Sequence, residues 1–324
     1  MNRENIINTL VWLGKDIEAN INSEEYELMY QQARAKNAWF IKENIQYALR
    51  AFLPWLNEEN LRNFASKYAV AQHSRTIAVV AAGNIPAVCF HDVLCVLLSG
   101  HKLMLKLSSQ DDVIVPFLLE KLNQRTEISC QFVDKISHFD AVIATGSNSS
   151  SMYFETYFSK YPHIIRKSRS SIAVIENDFP KIEDDIFMYM GLGCRNVSLV
   201  FLPQDFDLQQ LTKNFASYSH LINHNKYKNN YDYYKSIFLM NSVPFVDCGN
   251  LILQEKRELH APVSVLYYSY YADLQEVRQF IEDHKEELQC VVGDACIPFG
   301  KTQQPSLEDF ADDVDTMKFL ETLP

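Results

Sequence analysis

Apolar residues Ile6, Leu10, Leu13 and Ile17 recur every three to four positions, and Trp39, Ile45, Leu49 and Leu53 carry the same period onward. That spacing gathers apolar side chains on one helical face, so residues 1–70 are predicted to be helical. Pro54 closes one helix because it lacks the N–H that would continue the ladder, and the polar run Asn57–Asn60 opens the next. No chemistry is visible in this segment, which is expected to pack on the neighbouring domain or supply an oligomer surface. From Thr76 the period changes. Short β-rich runs at Ile77–Ala81, Lys102–Leu107, Ile128–Val133 and Ala141–Ala144 alternate with helical stretches, the first of which is predicted to begin at Pro86. Alternation of this kind specifies an α/β fold with a parallel sheet and crossover helices. Further on, a helical run Ile182–Met190 leads into Gly191-Leu192-Gly193-Cys194-Arg195-Asn196, and an apolar strand Val197–Leu202 leaves it.

Ligands of parallel sheets gather at the carboxyl ends of strands. Two such ends carry a turn and then a helix start: Ala82-Gly83-Asn84-Ile85-Pro86, and Thr145-Gly146-Ser147-Asn148-Ser149-Ser150-Ser151. Free amides and hydroxyls at a helix N-terminus form an anion site, so the second turn reads as a pyrophosphate cradle or as a plain serine-rich cap. The chain has only nine glycines, and two of them flank Leu192 directly ahead of Cys194. A thiol at a helix-to-strand junction has backbone amides near it that favour the thiolate and receive an oxyanion, whereas a cysteine inside an element is usually a buried, inert thiol.

Composition narrows the classes. A net charge of −11 with 22% charged residues offers no basic stripe for nucleic acid, and no apolar run is long enough to cross a bilayer, so a cytoplasmic protein is expected. The seven cysteines are scattered without a CxxC pair, which argues against disulfides and against a metal site. Four other features read as structural or undecided. The tyrosines of Tyr227–Tyr234 suit an amphipathic helix laid on a core. His91 and Asp92 are adjacent and diverge on a helix. Arg166, Lys167 and Arg169 read equally as phosphate ligands or as solvated charges, and the acidic run Glu308–Asp315 reads as surface.

Several motifs then fall in order: Ala82-Gly83-Asn84-Ile85-Pro86 with Phe90-His91-Asp92, Leu98-Ser99-Gly100-His101-Lys102, Lys106-Leu107-Ser108-Ser109, Thr145-Gly146-Ser147, Gly191-Leu192-Gly193-Cys194, Ala261-Pro262-Val263-Ser264-Val265-Leu266-Tyr267-Tyr268 and Phe310–Thr316. With these motifs, from about Thr76 onward, the chain resembles the acyl-CoA reductase family typified by the fatty-acid reductase of bacterial bioluminescence (LuxC), within the aldehyde dehydrogenase superfamily. The resemblance implies an aldehyde-dehydrogenase-like fold: a helical segment 1–70, a Rossmann-type dinucleotide-binding domain 71–180, an α/β catalytic domain 181–303 and a C-terminal segment 304–324. It implies Cys194 as nucleophile and Asn84 as oxyanion donor, with the Cys194 amide as second donor. It further implies Lys106 on the adenosine ribose, Thr145, Gly146 and Ser147 at the pyrophosphate, and Glu258 on the nicotinamide ribose.

Two departures from ordinary aldehyde dehydrogenases sharpen the expectation. Between Glu155 and Glu176 there is no carboxylate, so the glutamate that activates water in hydrolytic relatives is missing and Ile165–Ser171 fills its place. Ser109 stands where many NAD-using relatives place a carboxylate, which favours NADPH over NADH unless Asp111 or Asp112 restores the repulsion. The expected reaction is reduction of an acyl-CoA, or another activated acyl thioester, to the aldehyde through acyl-Cys194. Expected partners are the acyl-CoA substrate, an acyl-activating ligase by analogy, and further copies of the chain in a homo-oligomer. A cysteine-dependent acyltransferase without reduction and a non-catalytic nucleotide-binding subunit are the alternatives.

Overall fold

The computed structural model describes residues 2–323, which divide into two compact units, 2–168 with 305–323 and 169–304. The first unit opens with α1 (Arg3–Asn20), α2 (Glu24–Lys36), α3 (Lys42–Ala51) and α4 (Glu58–Ser66). The side chains of Asn2 and Asn57 cap α1 and α4 by accepting backbone N–H groups of the first turn. Ile6, Leu10, Leu13 and Ile17, the periodic residues of the sequence, are all buried. At about 1.5–3 kcal/mol for each fully buried aliphatic side chain, this face alone outweighs the modest helix propensities of the segment.

Behind these helices lies a parallel sheet of β1 (Thr76–Val80), β2 (Lys102–Lys106), β3 (Cys130–Phe132), β4 (Ala141–Thr145) and β5 (His163–Arg166), in the order β3-β2-β1-β4-β5. Its crossovers are α5 (Phe90–Ser99), α6 (Ile114–Asn123) and α7 (Asn148–Phe158). β1 is buried on both faces, with Ile77 and Val79 in the large cluster beneath α1–α6 and Ala78 and Val80 in a second one with Val142, Ala144 and Phe158. That two-sided burial explains why the strand reads as an apolar run and not as an alternation. The segment after residue 305 returns to this unit: Leu307, Met317 and Leu320 join the large cluster, and Trp55 Nε1 donates to the Pro305 carbonyl (2.6 Å). Its acidic run is largely exposed or half-buried, as the sequence predicts.

The second unit is built on a six-stranded sheet, β11-β6-β7-β10-β9-β8, of β6 (Ser170–Val174), β7 (Val197–Pro203), β8 (Val246–Asp247), β9 (Ile252–Glu255), β10 (Val265–Tyr271) and β11 (Leu288–Val292). Only β8 runs antiparallel to its neighbour. The helices are α8 (Ile182–Phe187), α9 (Leu208–Thr212), α10 (Asn225–Met240) and α11 (Leu274–Asp283). α10 carries the tyrosine run and buries Tyr227 and Tyr231, which agrees with the amphipathic reading.

Three boundaries differ from the sequence reading. The helix predicted from Pro86 starts at Phe90, because Ala87 is left-handed (φ 52°) and cannot belong to it. The helix predicted over Ile182–Met190 stops at Phe187, for Tyr189 and Met190 are left-handed too (φ 52° and 60°). The strand expected over Ile128–Val133 contracts to Cys130–Phe132 at the sheet edge.

Candidate active site

In the first unit the strand order reverses between β1 and β4, since β2 and β3 follow β1 on one side while β4 and β5 lie on the other. Open parallel sheets bind ligands outside the carboxyl ends at such a point. Asn84 follows β1, Lys106 ends β2 with Ser109 just beyond, and Thr145, Gly146 and Ser147 finish β4 and begin α7. All six therefore share one edge of one sheet.

The packing accounts for both glycines. A Cβ on Gly83 would lie 2.5 Å from Ser108 Oγ and 2.8 Å from its Cβ, and one on Gly146 would lie 2.8 Å from Ser150 Cβ and 3.0 Å from Phe154 Cε2. Ser147 caps α7 by accepting from the Ser150 N–H, and the hydroxyls of Ser149 and Ser150 lie 3.1 Å from its own. Asp111 holds the turn after β1: its buried carboxylate accepts from the Ala87 N–H at 2.7 Å and thereby fixes the left-handed residue. Burial raises the Asp111 pKa to about 7 against the opposing effect of backbone donors. Asp112 is paired with Lys36 at 3.0 Å. Ser109 is exposed, with both neighbouring acids committed elsewhere.

In the second unit the thiol is presented by a different device. Tyr189, Met190 and Gly191 (φ 75°) are three consecutive left-handed residues, a reversal that costs roughly 1–2 kcal/mol for each of the two non-glycines. The buried Asn196 holds it together. Its side-chain N–H₂ donates to the carbonyls of Asp185 (3.2 Å), Ile186 (3.3 Å) and Met188 (2.8 Å), while its Oδ1 accepts from the Gly193 N–H (2.8 Å). The end of α8 and the cysteine turn are thus closed by one amide. Ser171 Oγ donates to the Cys194 carbonyl (2.8 Å), and Arg195 Nη1 reaches the Thr302 carbonyl (3.2 Å) and Cys290 Sγ (3.3 Å). The Asp185 carboxylate accepts from the Gly300 and Thr302 amides and the Thr302 hydroxyl, which ties residues 300–302 to α8; burial nevertheless raises its pKa.

Cys194 is exposed, whereas five of the other six cysteines are buried or half-buried. Exposure contradicts the inert buried thiol and fits a reactive one. The remaining exposed thiol, Cys296, has its pKa raised by desolvation and by Glu176. The amides of Gly193 and Asn196 are both spent inside the turn, so the sequence-based picture of free amides on every side of the thiol does not hold for these two. Glu258 is exposed and paired with Lys256 at 2.8 Å.

Other sequence readings resolve plainly. Arg166 is not a phosphate ligand. It is buried against Asp92 in an ion pair and donates to Thr316 Oγ1 (2.8 Å). Lys167 pairs with Glu155 (2.8 Å), Arg169 donates to the Leu288 carbonyl (2.9 Å), and His91 meets the Leu307 carbonyl (2.9 Å), all structural roles. The structural roles of Asp111, Asp185 and Asn196 escaped the sequence reading. Only Asn196 carried a local signal, as an asparagine two residues beyond the cysteine of a glycine turn.

A family model described as Acyl-CoA reductase (LuxC) matches residues 11–217, a span that holds all three glycine turns, Lys106, Ser147 and Cys194. The chain belongs to the acyl-CoA reductase (LuxC) family. Membership makes it an oxidoreductase of aldehyde chemistry. No curated protein matches the sequence. Among solved structures, this acyl-CoA reductase family member is similar to the NAD+ complex of an aldehyde dehydrogenase from Bacillus cereus, at 11% identity over 90% of this chain and 72% of that one (TM-score 0.64). It is also similar to aldehyde dehydrogenase 21 from Physcomitrella patens in complex with the reaction product succinate, at 10% identity over 91% and 74% of the two chains (TM-score 0.65). A third likeness is to AldH from Staphylococcus aureus, at 15% identity over 87% and 74% (TM-score 0.56). At such identities the likeness is one of fold, and it makes the acyl-CoA reductase chain aldehyde-dehydrogenase-like in architecture. No helix among the described residues is long and apolar enough to cross a membrane.

Proposed function

We propose that this protein reduces an acyl-CoA to the aldehyde through a thioester on Cys194. The observation that carries the reading is an exposed thiol on a turn clamped by a buried asparagine, in a family of acyl-CoA reductases. The Cys194 thiolate attacks the acyl carbonyl, coenzyme A leaves as its thiol, and the acyl group stays on the enzyme. Asn84 keeps the oxyanion role that the resemblance gives it, with the Cys194 amide as second donor.

A nicotinamide cofactor fits the first unit on its own terms. The close packing at Gly146 leaves backbone and not side chain at the head of α7, and Ser147 adds a hydroxyl there, as a pyrophosphate requires. Thr145, Gly146 and Ser147 would hold the pyrophosphate, Lys106 the adenosine ribose and Glu258 the nicotinamide ribose. When bound, the reduced cofactor supplies the hydride that converts the acyl group to aldehyde. NADPH is the proposed form: Ser109 carries no charge, Asp111 is buried, and Asp112 is neutralised by Lys36. An acyl-activating ligase is the proposed upstream supplier of the acyl group.

Intact-mass measurement after mixing with acyl-CoAs of several chain lengths tests the reading. One added acyl group, absent in Cys194→Ala and discharged as aldehyde on adding NADPH, is the expected result. Acylation that neither NADPH nor NADH discharges would replace the reductase with an acyltransferase.

A further inference from the structure

The turn at the head of α7 hangs from the end of β5. Thr145 and Arg166 are the last partners of the β4–β5 ladder, the Gly146 N–H donates to the Arg166 carbonyl at 3.2 Å, and the Ser168 N–H donates to Asn148 Oδ1 at 3.2 Å. Residues 166 and 168 therefore hold the two neighbours of Ser147. Lys167, between them, pairs with Glu155 of α7 at 2.8 Å. Wherever residue 166 sits, the head of α7 follows.

β5 is an edge strand with β4 as its one neighbour, and its end is fixed from the other side by a side chain. Side chains alternate between the faces of a strand. Ile165 packs in the cluster of Phe158 on the α7 face, Ile164 belongs to the large cluster on the opposite face, and Arg166 follows Ile164. There its guanidinium is ion-paired with Asp92, in the first turn of α5, and Nη2 donates to the hydroxyl of Thr316 at 2.8 Å. All three residues are buried. Asp92 lies on the helix that follows the Asn84 turn, and Thr316 begins α12 (Thr316–Glu321) in the C-terminal segment. One guanidinium thus joins the end of β5, the start of α5 and the returning C-terminal segment.

Stability alone is a poor reason for this arrangement. Removing an arginine and an aspartate from water is costly, and an apolar pair of the same volume is often at least as stable. The desolvation is incompletely offset here, because neither Arg166 Nε nor Asp92 Oδ1 has a hydrogen-bond partner among the described residues. What a charge-assisted contact does supply is a fixed direction and distance, which an apolar side chain does not.

We propose that Arg166 is the positioning residue of the cofactor turn, and that Thr316 makes the C-terminal segment part of that device. This rests on the reading of a nicotinamide cofactor at Thr145, Gly146 and Ser147. The Asp92 carboxylate and the Thr316 hydroxyl fix the guanidinium, the Arg166 carbonyl fixes the Gly146 amide, and the head of α7 is set in place before a phosphate arrives. Arg166 itself stays in the core and acts through Gly146.

Three measurements on Asp92→Leu/Arg166→Met and on Thr316→Val, beside the wild-type chain, test this: NADPH titration by cofactor fluorescence, hydrogen exchange of residues 144–151 and thermal melting. The double replacement removes both charges, so neither is left buried alone. Its melting temperature should equal or exceed that of wild type. Exchange at residues 144–151 should quicken, and the NADPH dissociation constant should rise about tenfold or more, as for loss of one charge-assisted hydrogen bond to a phosphate. Thr316→Val should shift exchange and affinity in the same direction by a smaller factor. A folded double variant that binds NADPH as wild type does, or exchanges at the wild-type rate over residues 144–151, would overturn the proposal. Affinity that falls only in step with the melting temperature would also overturn it and leave Arg166 a structural residue. Should the double variant not fold, Thr316→Val decides on the same two readouts. No binding of NADPH or NADH by the wild-type chain would instead overturn the cofactor reading beneath the proposal.

Discussion

The glycine turns that carry Asn84 and Cys194 are secured by opposite means. The turn after β1 is held from outside by Asp111, a buried carboxylate that belongs to the loop after the next strand. The turn before β7 is held from inside by Asn196, an uncharged amide two residues past the thiol it positions. The first turn lies at carboxyl ends of strands and the second at an amino end. A turn closed by a titratable group inherits that group's response to pH, whereas one closed by an amide keeps its shape across the range. A nucleophile is best served by the second kind.

The largest expected effect is on the thiol. Cys194→Ala should abolish acylation, at least about a thousandfold below wild type by mass spectrometry, while Cys296→Ala should leave it within twofold. Asn84→Ala is expected to lower the steady-state reduction rate by about a hundred- to a thousandfold, because the proposed oxyanion donor is removed without disturbing Asp111. If Asn84→Ala instead changes only the melting temperature, its turn is structural and the comparison collapses to one functional turn. Asn196→Ala strands three carbonyls and one amide in a buried site, and should cost about 3 kcal/mol in denaturant unfolding with a further loss in the alkylation rate of Cys194.

Asp111→Asn gives the smallest change and the sharpest contrast. The folded carboxyl has its pKa raised to about 7 from an ordinary value near 4, so the folded state binds the proton that the unfolded chain has lost. Stability from Asp111 is therefore full at acid pH and declines as pH climbs from about 4 to about 7. Asp111→Asn should remove that decline, leaving the variant the more stable protein at pH 8. Melting curves from pH 5 to pH 8 check the sign, and a parallel slope in both proteins would mean that Asp111 is ordinary.

Much of this was legible in the sequence because it is local. The periodicity of Ile6 to Ile17 and the alternation after Thr76 specify helices and a parallel sheet, and the glycines around Leu192 mark the thiol. What was not legible depends on partners far along the chain. Pro86 looks like a helix start until Asp111, 24 residues beyond Ala87, holds the Ala87 amide. Arg166 reads equally as a phosphate ligand or a solvated charge until Asp92, 74 residues earlier, meets it in the core. Asn196 shows only its place two residues beyond the cysteine until α8 ends at Phe187 and turns three carbonyls toward it.

The return of residues 305–323 to the first unit sets a timetable for synthesis. Leu307, Met317 and Leu320 complete a core whose other members all lie before residue 165, and Thr316 supplies a partner for the buried Arg166. A ribosome adding roughly 5–20 residues per second needs about seven to twenty-seven seconds to make residues 169–304 in between. For that interval the nascent first unit has an unfinished apolar surface, because Leu307, Met317 and Leu320 are still to be made.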